Sequence, residues 1–333
     1  MLNLLQTADI IDITNNYEYK SNYTLDKLFN MKKTDNLLVE ASKQSEGSNI
    51  PVMAQVHAFD TEARIGDRPN FETVKAQKLL IKEKINETEQ ILYYMDKGVT
   101  DQKALKNFVF DDVTNMATRV MTRTSVMNGE LLSTGKLVIK ENNVDITVDY
   151  NMPSANFIPM TGWATPAHDI LGDIQKVVTT AKAKGYTIVR AITSNKVMGY
   201  LRANTNISNF FKASNVLLTD KVLKQWLLDN FGIEFVENDE VYKTDIKGTT
   251  QRIYKEDNIT WLTTDGSIGS GLFGKTPEEI KLELCAKVSL KGNIAITEYD
   301  VPDPVAHWVK ASGIYLPIIT DINGMFISTV AGD

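Results

Sequence analysis

The chain has 333 residues, 43% hydrophobic and 23% charged, with 42 acidic and 36 basic side chains for a net charge of −6. That length points to roughly two domains and a substantial core, and no apolar run approaches the ~18 residues that cross a bilayer, so no membrane span is expected. Neither sign of charge gathers into a long block, which excludes a protein built to track phosphates, because affinity for nucleic acid rests on a concentrated Lys/Arg surface; incidental contact with nucleic acid stays open.

The first residues carry neither a basic leader nor a sustained apolar segment with a cleavage site, so a secretory signal is not expected. A single cysteine, Cys285, excludes an intramolecular disulfide. It stands in the alternating stretch from Ile280 to Val288, where a buried, inert thiol is expected, and folding inside the cell follows.

Residues 1–45 show weak periodicity and read as an extended arm. Alternation follows, from Ile50 to Phe59 and again from Asn70 to Lys82, around the turn-rich Arg64-Ile-Gly-Asp-Arg-Pro69. This predicts a long hairpin. It has too little apolar bulk to form a core, so it must lie on its own body or on a neighbouring subunit. A helical piece is expected near Glu87–Lys97, stopped at Gly98.

Thr100 then reads as the N-cap of a long helix from Asp101 to Leu131. Leu105, Val109, Val113, Met116, Val120, Thr124, Met127 and Leu131 lay a narrow apolar stripe along it, with polar faces opposite. At 1.5 Å per residue it spans roughly 45 Å, a spine. The spacing also suits a coiled-coil seam, but the stripe holds Met and Thr and lasts about four heptads; packing against a sheet is the expectation.

Leu137 to Asp149 reads as a hairpin turning at Glu141-Asn-Asn143. Next, Thr165 is expected to cap a helix with Pro166 at its first position, with Ile170, Ile174, Val177, Val178 and Ala181 inward and Gly185 closing it. A strand Tyr186–Ile192, a helix Asn195–Ala203, a helix from Thr219 or Asp220 to Gly232, a strand Ile233–Val236 and a strand Ile259–Thr264 complete a compact α/β unit over 152–272. A helix 277–283, strands Leu284–Leu290 and Asn293–Glu298 and the apolar tail Trp308–Ile319 restore β-rich character. The expected partners of these tail strands are the 137–149 hairpin and the spine, which makes the α/β unit an insertion in a discontinuous domain.

Gly269-Ser-Gly-Leu-Phe-Gly-Lys-Thr276 matches the phosphate-cradling loop Gly-x-x-x-x-Gly-Lys-Thr. A working loop follows a buried strand directly and opens a helix at the Gly-Lys step. Here Asp265–Ile268 separates the strand from the motif, and Pro277 pushes Thr276 out of the helical region. Thr276-Pro277-Glu278-Glu279 reads instead as a capping box. A glycine-rich connector is the expectation, with a P-loop NTPase kept as an alternative.

Other chemistry is sparse. His57, His168 and His307 fall in three regions without a second ligand type at useful spacing, so no metal is expected. Asp111 and Asp112 are adjacent on a helix and do not face each other, so they cannot act as an acid/base dyad. No Gly-x-Ser-x-Gly elbow occurs, and the cysteine has no evident base. No catalytic residue, metal or cofactor is expected. An arm, a ribbon and a long spine, each with more surface than its own core can use, point to a structural subunit that self-assembles through heterologous contacts. An α/β binding protein that dimerises through the ribbon is the other alternative.

The order of these parts resembles the Hong Kong 97-like fold of tailed-bacteriophage major capsid proteins, and within it the lambda-type capsid protein E family. Tyr23-Thr-Leu-Asp-Lys-Leu-Phe29, Ala63-Arg-Ile-Gly-Asp67, Phe71-Glu-Thr-Val74, Asp169–Ala181, Val301-Pro-Asp-Pro304 and Ser312-Gly-Ile-Tyr-Leu-Pro317 carry the resemblance, nearly end to end. It implies an α+β capsid fold with an N-terminal arm (1–45), an extended loop (46–83), a β-rich peripheral domain with the spine helix (84–151 and 273–333) and an inserted α/β axial domain (152–272). It implies a virion protein assembled in the bacterial cytoplasm into the icosahedral head, as hexamers and pentamers around double-stranded DNA that it touches non-specifically. The implied partners are other copies, a separate scaffolding protein and the portal protein; a decoration protein is allowed. Intersubunit contacts are implied for Arg64, Asp67, Arg68 and Phe71 in the loop and for Leu25, Leu28 and Phe29 in the arm. No residue trio matches the isopeptide cross-link of some relatives, so non-covalent assembly is expected.

Overall fold

The computed structural model describes residues 23–44, 49–51, 53–54, 71–87, 102–245, 247–282, 288–291, 293–303 and 305–330. A short 3-10 turn, Thr24–Leu28, leads into β1 (Phe29–Lys33), β2 (Leu38–Gln44), β3 (Phe71–Gln77) and β4 (Leu79–Glu87). The spine, α1 (Gln102–Thr134), precedes β5 (Lys136–Glu141) and β6 (Val144–Asp149). Then follow α2 (Ile170–Ala183), β7 (Arg190–Thr193), α3 (Asn195–Ala203), α4 (Thr205–Ala213), α5 (Asp220–Phe231) and β8 (Glu234–Glu237). After these come β9 (Val241–Lys243), β10 (Thr250–Arg252), β11 (Asn258–Leu262), β12 (Gly269–Gly274) and α6 (Pro277–Leu282). The last elements are β13 (Val288–Lys291), β14 (Ile294–Pro302), β15 (Val305–Ile319) and β16 (Phe326–Thr329). Their contacts divide the described residues into two compact units, one drawn from 1–39, 76–128 and 270–318, the other from 40–75, 129–269 and 319–333.

The first unit is built on a sheet of order β1-β12-β15-β14-β13, with β4 also paired to β15. The fifteen-residue β15 can serve two partners over the same stretch because a strand has two hydrogen-bonding edges: Ser312 opposes Ala295 of β14 on one side and Lys82 of β4 on the other. These strands take the place of the expected 137–149 hairpin, which pairs with itself alone among the described strands. One face of the sheet meets the spine, where a Cβ on Gly313 would lie 3.1 Å from Val120 Cγ1.

Met116, Val120, Thr124, Met127 and Leu131 are buried as their spacing requires. The polar opposite face runs only to Arg123, however, and every residue from Thr124 to Gly129 is buried. The physical reason is the turn before β1, which covers the outer side of the helix and supplies Asp26 to its polar groups. Asp26 accepts hydrogen bonds from Ser125 Oγ at 2.5 Å and Asn128 Nδ2 at 2.8 Å. The side chains of Leu105, Val109, Val113, Asp111 and Asp112 lie outside the described residues, as do Glu87–Lys97 beyond β4 and Cys285.

The ribbon differs from its expected pairing. The run Asn70–Lys82 is two strands broken at Lys78; β3 pairs with β2 and β4 joins β15. Ile50, Pro51, Met53 and Ala54 are not in a strand, and 55–70 lies outside the described residues.

The second unit has a sheet of order β16-β11-β7-β8, antiparallel except for the β7–β8 pair. Parallel neighbours need a crossover, and α3, α4 and α5 supply it. Their apolar faces join α2 over one core: Ile174, Val177, Leu201, Ile207, Leu223 and Leu227 pack with Phe235, Ile259, Trp261 and Phe326. Side-chain caps set three starts, Ser194, Asn204 and Thr219, and Gly232 at φ 71° ends α5 in the left-handed region glycine favours.

The helix expected at Thr165 begins instead at Ile170, with Asp169 accepting from Gly172 N at 3.1 Å. Thr205 N, Thr205 Oγ1 and Asn204 Nδ2 all donate to the Pro166 carbonyl, so that oxygen is unavailable for a helical turn. The predicted strand at Tyr186 is a ladder only from Arg190. The hairpin turn is as expected, with Asn142 and Asn143 at φ 49° and 63°, the two left-handed positions of a tight primed turn.

Candidate assembly surfaces

The nucleotide-loop motif is a strand, not the expected connector. Gly269–Gly274 is β12, lying in the sheet between β1 and β15, so its backbone donors serve a ladder and cannot ring a phosphate. Its glycines answer a packing demand. A Cβ on Gly271 would stand 2.6 Å from the Tyr315 hydroxyl, and one on Gly274 would stand 2.7 Å from Ile314 Cγ2.

Thr276 Oγ1 does accept from Glu279 N at 3.3 Å, the forward half of a capping box. The Glu279 carboxylate turns instead to Lys33 of β1, at 2.8 Å. Its neighbour Glu278 pairs with Lys310 of β15 and stands 3.7 Å from Lys82 of β4. Burial works to raise the Glu278 carboxyl, and the hydrogen bond and charge of Lys310 outweigh it, holding it below its ordinary value. Two adjacent carboxylates on α6 thus tie three strands of one sheet.

No group of three potential metal ligands occurs among the described residues. His168 serves a local hub: its Nε2 lies 2.8 Å from Asp173 Oδ2, which also accepts from Trp163 Nε1 at 3.0 Å. His57 and the His307 side chain lie outside the described residues. No described helix is long and apolar enough to cross a membrane.

Of the residues expected at intersubunit contacts, Arg64, Asp67 and Arg68 lie outside the described set, and Phe71 opens β3. Leu25, Leu28 and Phe29 lie at and beside the turn before β1. They are 2%, 8% and 3% exposed within the chain's own first unit, because the Asp26 clamp pulls their turn onto the spine.

In the first unit Leu37 and Leu80 are exposed, and in the second Val144 and Ile146 at the tip of the β5–β6 hairpin. One exposed apolar group in the second unit was missed in the sequence: Phe210, Val216 and Leu217, at 52%, 44% and 81%. The signal was present in Asn204 as a cap and in Phe210, which falls beside the inward Ile207 and Phe211 on α4 rather than among them.

Known proteins match this chain over nearly its whole length. The family model for phage major capsid protein E matches residues 6–330. A capsid protein assigned to a prophage of E. coli CFT073 is similar in structure with a TM-score of 0.63 and 13% identity, over 98% of this chain and 99% of that one. The capsid of Myoviridae phage XM1 gives 0.51 at 11% identity, over 99% and 100%. A phage-related protein of Bordetella bronchiseptica RB50 gives 0.53 at 11%, over 96% and 95%. No curated protein matches in sequence. The architecture is the Hong Kong 97-like capsid fold, and the protein is a structural subunit of a phage head shell, not an enzyme. With the match running from residue 6 to residue 330, the chain belongs to the phage major capsid protein E family.

Proposed function

We propose that copies of this chain close the icosahedral shell as hexamers and pentamers around double-stranded DNA, inside the bacterial cytoplasm, with a separate scaffolding protein and the portal protein as partners. The observation that carries the reading is the family match over 6–330. Residues 1–45 act as the arm, 46–83 as the loop over a neighbouring subunit, 84–151 and 273–333 as the peripheral domain, and 152–272 as the axial domain. Intersubunit contact is assigned to Arg64, Asp67, Arg68 and Phe71, since the apolar arm residues serve the chain's own core.

Electron microscopy of the expressed protein, alone and with its scaffold, tests this. Shells are expected from the full chain, and deletion of Thr61–Asn70 is expected to give folded, unassembled protein. Normal shells from the deleted chain would remove the loop contact from this account.

A further inference from the structure

The second unit carries a protruding apolar group and an apolar-floored groove on opposite flanks of one helix. The protrusion is the Ser214–Leu218 segment between α4 and α5, where Leu217 is 81% exposed with Val216 and Phe210 at its base. The groove, about 590 Å³ and open to solvent, runs between α5 and β8, with Leu228 and Phe235 among its lining.

Helical geometry separates the two. At 3.6 residues per turn, Leu223 and Leu227 of α5 point into the core, as their burial shows. Val222 and Trp226 lie to one side, where Trp226 meets Phe210 and Phe211 at 5.5 and 5.8 Å between ring centroids. Lys221, Lys224 and Leu228 lie roughly 150° around from them by that spacing and line the groove. A chain with a knob on one flank and a slot on the other is equipped for head-to-tail contact, which closes into rings when the rotation suits.

The strand edge in the groove is available. In the β7–β8 ladder, Glu234 N and Asn238 N donate to Val189 and Thr193, so the alternate donors, Phe235 N and Glu237 N, point away from β7 into the groove. β8 is the outermost strand of its sheet. The carboxylates along that edge are already matched within the chain, Glu234 by Arg190 and Glu237 by Lys224, so what the groove offers a neighbouring copy is the apolar part of its lining, Leu228 and Phe235.

We propose that the Leu217 knob of one copy seats in the α5–β8 groove of the next, and that this contact joins neighbouring second units within a capsomer. The proposal rests on the shell-subunit reading and adds to it the residues of one interface.

The test is a disulfide between copies in a Cys285→Ser background. Chains carrying Leu217→Cys and chains carrying Leu228→Cys are purified separately, mixed, assembled with scaffold and oxidised. A covalent pair of chains is expected only in the mixture and only after assembly. Leu217→Asp is expected to lower particle yield at least tenfold while leaving the circular dichroism and melting of the free chain unchanged. Full particles without the disulfide, or Leu217→Asp particles at normal yield, overturn the knob-and-groove contact and leave the shell reading standing, including the case in which another protein fills the groove. Failure of the unsubstituted chain to form any particle with scaffold would overturn both.

Discussion

Gly271 faces the hydroxyl of Tyr315 so closely that a methyl group on the glycine would lie 2.6 Å from it. That hydroxyl donates to Asn128 Oδ1 at 2.6 Å, and Asn128 in turn holds Asp26. The glycine therefore gives a tyrosine room to reach the spine. Gly271→Ala is expected to destabilise by about 1–3 kcal/mol, the usual cost of overpacking. Lys275→Ala should leave nucleotide affinity unchanged, at none. Urea unfolding and nucleotide titration check the pair; tight ATP binding lost on Lys275→Ala would restore the discarded enzyme reading.

Asp26 is a buried carboxylate held by neutral donors, Ser125 and Asn128. Removing it in Asp26→Ala leaves both without that acceptor, at a cost of about 1–3 kcal/mol. Hydrogen exchange should quicken in the Thr24–Lys33 segment first. Uniform loss of protection across the chain would show that this turn is not a separate clamp.

Lys78 stands between β3 and β4 and is 2% exposed. Its ammonium donates to Thr34 O at 2.8 Å, Thr34 Oγ1 at 2.5 Å and Phe273 O at 3.1 Å. Desolvation lowers its pKa from 10.5, with Asp35 opposing. Between the lowered folded value and 10.5, the unfolded chain binds more protons than the folded one, so stability rises with pH there. The unfolding free energy of the natural chain minus that of Lys78→Met should increase from neutral pH towards pH 10. A flat or falling difference would mean the ammonium is not desolvated.

The start of α2 offers a direct contrast. Asp169→Ala should cost about 1 kcal/mol, the usual value of a lost cap, and Thr165→Ala should cost far less. Thermal melting of the two variants decides which residue begins the helix.

Periodic segments were legible in the sequence because burial enforces their period: the Met116–Leu131 stripe, the inward face of α2 and the Asn142-Asn143 turn all stand where spacing put them. Pairing was not legible. The apolar run Trp308–Ile319 in β15 says that the segment is buried but not that β4, distant in sequence, takes its second edge. The surroundings of the arm were not legible for a related reason, since Leu25 and Phe29 look the same in sequence whether a neighbour or the chain's own helix buries them. The glycine motif was read as a connector rather than a strand because the sequence does not show the Tyr315 and Ile314 side chains for which its glycines make room.

The sheet of the second unit draws its strands from 190–193, 234–237, 258–262 and 326–329, and the last of these covers the flank of β11, at Trp261 and its neighbours. During synthesis that flank stays bare until residues 326–329 have left the ribosome. A nascent chain therefore cannot present a finished second unit to a completed sibling, and subunits join the growing head only once translation has carried them past that point.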